Sequence, residues 1–135
     1  GLTAKQTVTQ IHEQGGLVYI PHPFEILRHG LKIDALEQIL SEIDIIEVFN
    51  ARSKWRGKSS VALEFAGKYK IAAAAASDAH GQKGVGTSFS IISEAPSVKT
   101  LPGLLKKGTL RKQFAPIITY LDPSINKIKH KFGKL

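Results

Sequence analysis

The feature that most constrains this chain is a pattern repeated three times: a short apolar run halted by a polar cluster. Leu17 to Ile20 (LVYI) stops at Pro21-His22-Pro23. Ile43 to Phe49 stops at Asn50-Ala51-Arg52, and Ile71 with Ala72 to Ala76 stops at Ser77-Asp78-Ala79-His80-Gly81. Apolar runs of about four to eight residues, the second interrupted only by Asp44 and Glu47, suit strands buried on both faces. Helical patterns separate them. Thr3 with Gln6 fits a capping box, and Val8 and Ile11 continue a stripe to Gln14 before Gly15-Gly16 ends it. Asp34 with Glu37 predicts a second box ahead of Leu36, Ile39 and Leu40, and Lys58 to Lys68 predicts a third helix with Val61, Ala62, Phe65 and Ala66 inward.

The alanine run favours helix by intrinsic propensity. Its shortness, the helix just before it and its abrupt polar end predict a strand instead. Ser88 to Ile92 alternates polar and apolar, as a strand with one wet face does, and Ser97 opens a helix through about Lys107. After Pro123 the spacing of Ile125, Ile128 and Phe132 fits one more helix. Helices alternating with apolar strands define an α/β architecture of parallel strands with both sheet faces covered. In such folds the chemistry gathers at the C-terminal ends of the strands, which is where all three polar clusters fall.

With 135 residues, 42% of them hydrophobic, the chain can bury one ordinary core. No apolar run reaches the roughly 20 residues that span a bilayer, and no signal-peptide pattern opens the chain. The absence of cysteine excludes disulfides, thiolate zinc sites and a cysteine nucleophile, and a cytoplasmic setting is the default expectation. Methionine is also absent, so the GLTAK start implies either removal of an initiator methionine or a beginning inside a longer protein. Residues 97–135 hold nine of the nineteen Lys and Arg but one acid, Asp122, so the whole net charge of +8 belongs to them. Such an excess fits an anionic partner such as nucleic acid, or a solvated basic terminus. The expected division is therefore an α/β portion over 1–108 and a basic C-terminal extension over 109–135.

Three residues suit a metal. His22 leaves an apolar strand between two prolines, which restrict the backbone and push His22 toward extended geometry. A rigid imidazole there suits a metal ligand or general base, and equally a loop histidine bonded to a carbonyl. Asp78 and His80 are two apart, so an extended backbone points both the same way, and carboxylate with imidazole suits Zn, Mn or Fe. An Asx turn by Asp78 is the competing structural reading.

Taken together, G-G-L-V-Y-I-P-H-P-F, I-I-E-V-F-N-A-R and A-S-D-A-H-G-x-x-G-V-G resemble, in order and spacing, the later motifs of the PHP (polymerase and histidinol phosphatase) superfamily of metal-dependent phosphoesterases. The resemblance covers about residues 1–92. It implies the C-terminal part of a distorted (β/α)7 PHP-type barrel and a cluster of two or three divalent metals, Mn, Zn or Fe. His22, Asp78 and His80 are the ligands it implies, and Arg28 the arginine that meets the substrate phosphate, for which a planar guanidinium is suited. Asn50 and Ser77 are expected to support the ligands from behind, and Glu47 to be structural.

The family's first H-x-H motif and early ligands have no counterpart here, and alanine stands where a glycine usually precedes Ser77. His12 falls in a helix pattern, and His29 and His130 lack partner motifs. The implied function is hydrolysis of a phosphomonoester, nucleotide or nucleic-acid phosphoester by metal-activated water. This chain would carry the later wall of the site, be inactive alone, and need the N-terminal half of the barrel or a second copy. The competing class is a non-catalytic module that binds nucleic acid or protein through the basic tail.

Overall fold

The computed structural model describes residues 1–25, 31, 33–55 and 58–132. Arg28 and His29 lie outside the described residues. The chain is a mixed α/β protein whose centre is a three-stranded parallel sheet, β1 (Tyr19–Ile20), β2 (Ile45–Asn50) and β3 (Ala72–Ala76), in the order β1-β2-β3. The sheet is open: among the described residues β1 and β3 each pair with β2 alone.

Helices α1 (Ala4–Glu13), α2 (Ile33–Gln38) and α3 (Ser59–Lys68) bury Val8, Leu36, Ala62, Phe65 and Ala66 against Val18, Ile20, Ile46 and Val48. The other face meets α4 (Leu101–Lys107), where Leu105 packs with Ile45, Ala72 and Ala74. Burial on both faces explains why the runs are apolar apart from Asp44 and Glu47, whose carboxylates accept backbone N–H bonds. It also explains why the alanines form a strand: their small side chains let β2 and α4 approach closely, and that packing outweighs helix propensity. The Thr3–Gln6 capping box forms as the sequence predicts, each side chain bonding the other residue's backbone N–H.

Several details differ. Asp34 lies inside the first turn of α2 instead of capping it. Val61 faces solvent, because Ala62, Phe65 and Ala66 fill the inward stripe of α3. Strand β4 (Phe89–Ile91) does not extend the parallel series. It pairs antiparallel with β5 (Thr109–Arg111) in a second sheet, and Ser90 Oγ accepts from the Ala75 N–H at 3.0 Å. The chain then passes through a 3-10 helix, Ile117–Leu121, into α5 (Asp122–Phe132). The apolar residues expected to line that last helix, Ile125, Ile128 and Phe132, are exposed. Among the described residues no helix is long and apolar enough to cross a membrane.

Candidate functional site

The C-terminal ends of the three parallel strands form a polar rim organised around Glu47. This carboxylate is 4% exposed. Its Oε1 accepts the His22 backbone N–H at 3.1 Å and the Asn50 amide at 2.8 Å, and its Oε2 accepts the Tyr19 hydroxyl at 2.8 Å. Asn50 in turn accepts the Arg52 N–H through Oδ1 at 2.9 Å. One buried acid thus fixes the exits of β1 and β2. Burial, then the charge of Glu47 and its hydrogen bond, then the charge of Asp78, push the Tyr19 hydroxyl far above its ordinary range. The pairing of Ala76 with Asn50 brings Asp78, just past the end of β3, to the same rim.

His22 departs from its sequence expectation. Its φ is +30°, not extended. The preference of a residue before proline is local and weak against two tertiary anchors. Glu47 captures the His22 N–H, and Phe24, itself at φ +64°, packs edge-on against Phe65 of α3 with ring centroids 5.5 Å apart. The His22 ring then faces Glu25, Nδ1 to Oε2 at 4.0 Å, and this buried Nδ1 has no hydrogen-bond partner among the described residues. Glu25 also accepts a bond from Ser53 Oγ. A cavity of about 10 Å³, the size of one water molecule, lies among His22, Glu25, Glu47, Asn50 and Ser53.

Asp78 is also left-handed, at φ +48°, so it reaches His80 by a turn and not along an extended backbone. Oδ1 of Asp78 and Nε2 of His80 are 3.6 Å apart. That is long for a hydrogen bond. It is close to the roughly 3.4 Å between two ligand atoms that share one tetrahedral ion with bonds near 2.1 Å. The donor types and spacing at this corner therefore fit a divalent metal. Ser77 is half-buried between β3 and Asp78. Among the described residues no three His, Asp or Glu side chains converge as a complete metal-binding group, so His22 and the Asp78–His80 pair stand as two corners.

Sequence reasoning missed two contributions. Tyr19 reads as one more apolar strand residue, yet its hydroxyl is tied into the rim. The segment after β5 reads as a charged tail, yet it straps the rim from above. Ala115 N–H bonds Ala51 O at 2.9 Å, the Tyr120 hydroxyl bonds Arg52 O at 2.7 Å, and the Asn126 amide bonds His80 O at 2.7 Å. The Asp122 carboxylate packs so closely on Gly81 that a Cβ there would lie 2.7 Å from Oδ2. No periodic pattern signals such contacts.

The chain is similar to uncharacterized protein MJ0417 of Methanocaldococcus jannaschii, with 38% identity over 93 residues, covering 66% of this chain. The match spans 39% of the length of that protein. No family model matches the chain, and no solved structure matches it.

Proposed function

We propose that this chain is the later part of a PHP-type, metal-dependent phosphoesterase, and that it supplies one wall of the active site. The observation that carries this reading is the Asp78–His80 corner, a carboxylate and an imidazole 3.6 Å apart at the end of β3. The His22–Glu25 corner at the end of β1, whose buried Nδ1 makes no hydrogen bond among the described residues, supports it.

In this reading His22 holds one ion, Asp78 and His80 hold another, and Arg28 meets the substrate phosphate. Bound divalent ions, two or three of Mn, Zn or Fe in the complete site, supply an activated water and offset charge on the phosphoryl oxygens. Glu47 fixes the His22 loop, Asn50 braces Glu47, and Ser77 supports the Asp78 turn. The substrate is a phosphorylated small molecule, a nucleotide or a nucleic-acid phosphoester, and the setting is the cytoplasm.

The rest of a distorted (β/α)7 barrel belongs along the open edge of β1. A groove of about 320 Å³ there is lined by Leu2, Val8, Ile11, Val18, Ile20 and Leu31. The relative's greater length leaves room for such a portion, and a second copy of the chain is the other candidate.

Metal analysis after dialysis against Mn or Zn tests the reading. The chain is expected to retain at least one ion, His80→Ala to lose the ion of its corner, and the isolated chain to show little or no phosphomonoesterase activity. Equal metal content in wild type and His80→Ala would overturn it. The exposure of Lys127, Lys129 and Lys131 on α5 favours a second reading, a non-catalytic nucleic-acid module. That module predicts salt-sensitive binding that survives His80→Ala and weakens when these lysines become glutamates.

A further inference from the structure

Past the exit of β2 the backbone turns outward through Arg52, Ser53 and Lys54 to Trp55, the chain's single tryptophan. Trp55 is 62% exposed. A large indole left in water yet held by neighbours is an arrangement that a flat apolar ligand completes. Its neighbours are specific. The Tyr120 ring lies 5.4 Å away, centroid to centroid, at 46°. Tyr120 is itself fixed, its hydroxyl bonded to Arg52 O at 2.7 Å and the Arg52 guanidinium 5.5 Å from its ring centroid. Lys54 Nζ lies 5.5 Å from the centre of the indole. Arg52 is 7% exposed, and its buried Nε has no hydrogen-bond partner among the described residues.

The platform belongs to the same rim as the candidate metal corners. The Arg52 N–H bonds Asn50, which braces Glu47, and Tyr120 is two residues before Asp122, which packs on Gly81 beside His80. We propose that Trp55 and Tyr120 form a nucleobase-stacking platform, so that the phosphoester handled at this rim carries a purine or pyrimidine base. The proposal rests on the phosphoesterase reading for its substrate and on the platform itself for the base. An exposed aromatic accepts the π-face of any base. Lys54, in solvent beside the indole, meets a phosphate charge, and an anion entering beside Tyr120 gives Arg52 Nε an acceptor that no described residue supplies. An uncharged saccharide would stack on the indole and leave both cations unused. The net charge of +8 on the segment that carries Tyr120 favours the anionic ligand further.

The shared chemistry, base plus phosphate, occurs in a free nucleotide and at the end of a single strand. Because Trp55 is the only indole, its fluorescence reports the platform directly. With metal chelated to exclude turnover, the full 135-residue chain is titrated with adenosine monophosphate, a short oligoadenylate, ribose 5-phosphate and inorganic phosphate. Saturable quenching by adenosine monophosphate identifies the free nucleotide as sufficient. Quenching by oligoadenylate alone identifies a strand end. Both outcomes support the platform.

Equilibrium dialysis with the ligand that quenches should show Trp55→Ala binding it roughly tenfold more weakly. Circular dichroism checks that the variant is folded. Ribose 5-phosphate quenching as well as adenosine monophosphate, no quenching by either base-bearing ligand, or wild-type affinity in Trp55→Ala would each overturn the proposal. The phosphoesterase reading fails separately, through the metal content of His80→Ala.

Discussion

Ile46 and Glu47 are neighbours on β2, and both are buried, yet they belong to two differently built regions. Ile46 lies in the apolar layer that α1, α2 and α3 press against the sheet. Glu47 lies at the rim, where its two oxygens serve three donors from the exits of β1 and β2. No buried residue of the apolar layer has a positive φ. Among the described residues the rim contains three of the four non-glycine residues with positive φ, His22, Phe24 and Asp78, whereas Lys70 makes the turn after α3. Left-handed geometry costs a non-glycine residue about 1 kcal/mol or more and persists only where tertiary contacts over-determine it. The layer is therefore optimised for stability, and the rim holds side chains in positions that stability alone would not select. Substitutions in the two regions should differ in kind, and the following comparisons run from the largest expected change in stability to the smallest.

Ile46→Ala should cost about 2–5 kcal/mol in urea unfolding, since Ile46 is fully buried and a cavity would remain between β2 and the helices. Metal content per folded molecule should be unchanged. A cost below about 1 kcal/mol would show that this layer is not the core.

Glu47→Ala should cost about 2 kcal/mol, because it strips the acceptor from the His22 N–H, the Asn50 amide and the Tyr19 hydroxyl. It should also release the His22 loop and lower metal content, which Ile46→Ala should not. Glu47→Gln keeps the volume and one acceptor, so about half the loss is expected. If Glu47→Ala left both stability and metal content intact, the division between layer and rim would collapse.

The layer was legible because burial on two faces writes itself into sequence as a mostly apolar run, and helices write themselves as caps and stripes. The Thr3–Gln6 box, the strand made of alanines and the helix near Ser59 to Lys68 all follow from such local rules. The strand-end positions of His22, Asp78 and His80 were legible for the same reason. What joins them was not. The turn at His22 depends on Glu47 and the one at Phe24 on Phe65, both distant in sequence, so the extended geometry expected from Pro23 did not form, and Asp78 did not take the extended geometry expected from the D-x-H spacing. The strap formed by Ala115, Tyr120 and Asn126 was hidden for a related reason: its bonds reach backbone carbonyls, which no side-chain pattern encodes. Charge alone marked that segment, and charge does not say where a segment docks.

Tyr19→Phe tests whether the fold holds the Tyr19 proton at the rim. At about pH 7 the loss of its bond to Glu47 should cost about 1 kcal/mol. The folded state holds the Tyr19 proton well above the ordinary tyrosine range, by burial first and then by Glu47 and Asp78. Below about pH 10 the hydroxyl is protonated in both states and adds no pH dependence. Above it the unfolded chain releases the proton while the folded chain keeps it. The folded state then binds more protons, and stability falls as pH rises. Phenylalanine lacks this loss. The gap between wild type and Tyr19→Phe should therefore narrow in urea melts repeated near pH 10.5, and a constant gap would show that the fold does not hold the Tyr19 proton.

Asp78→Gly carries the comparison to its limit, because it should change stability least. Glycine relieves the left-handed backbone at φ +48°, a gain of about 1 kcal/mol, while its freedom in the unfolded chain removes about as much. The contact with His80 at 3.6 Å is partly exposed and contributes about 0–1 kcal/mol. The net change should be a loss of no more than about 1 kcal/mol, yet the ion held with His80 should be lost. Unfolding curves that superimpose on wild type, paired with a missing ion, would show that Asp78 occupies its strained position for binding. A loss above about 1 kcal/mol would instead make Asp78 a turn-forming residue of the fold, and the rim would then differ from the core only in polarity.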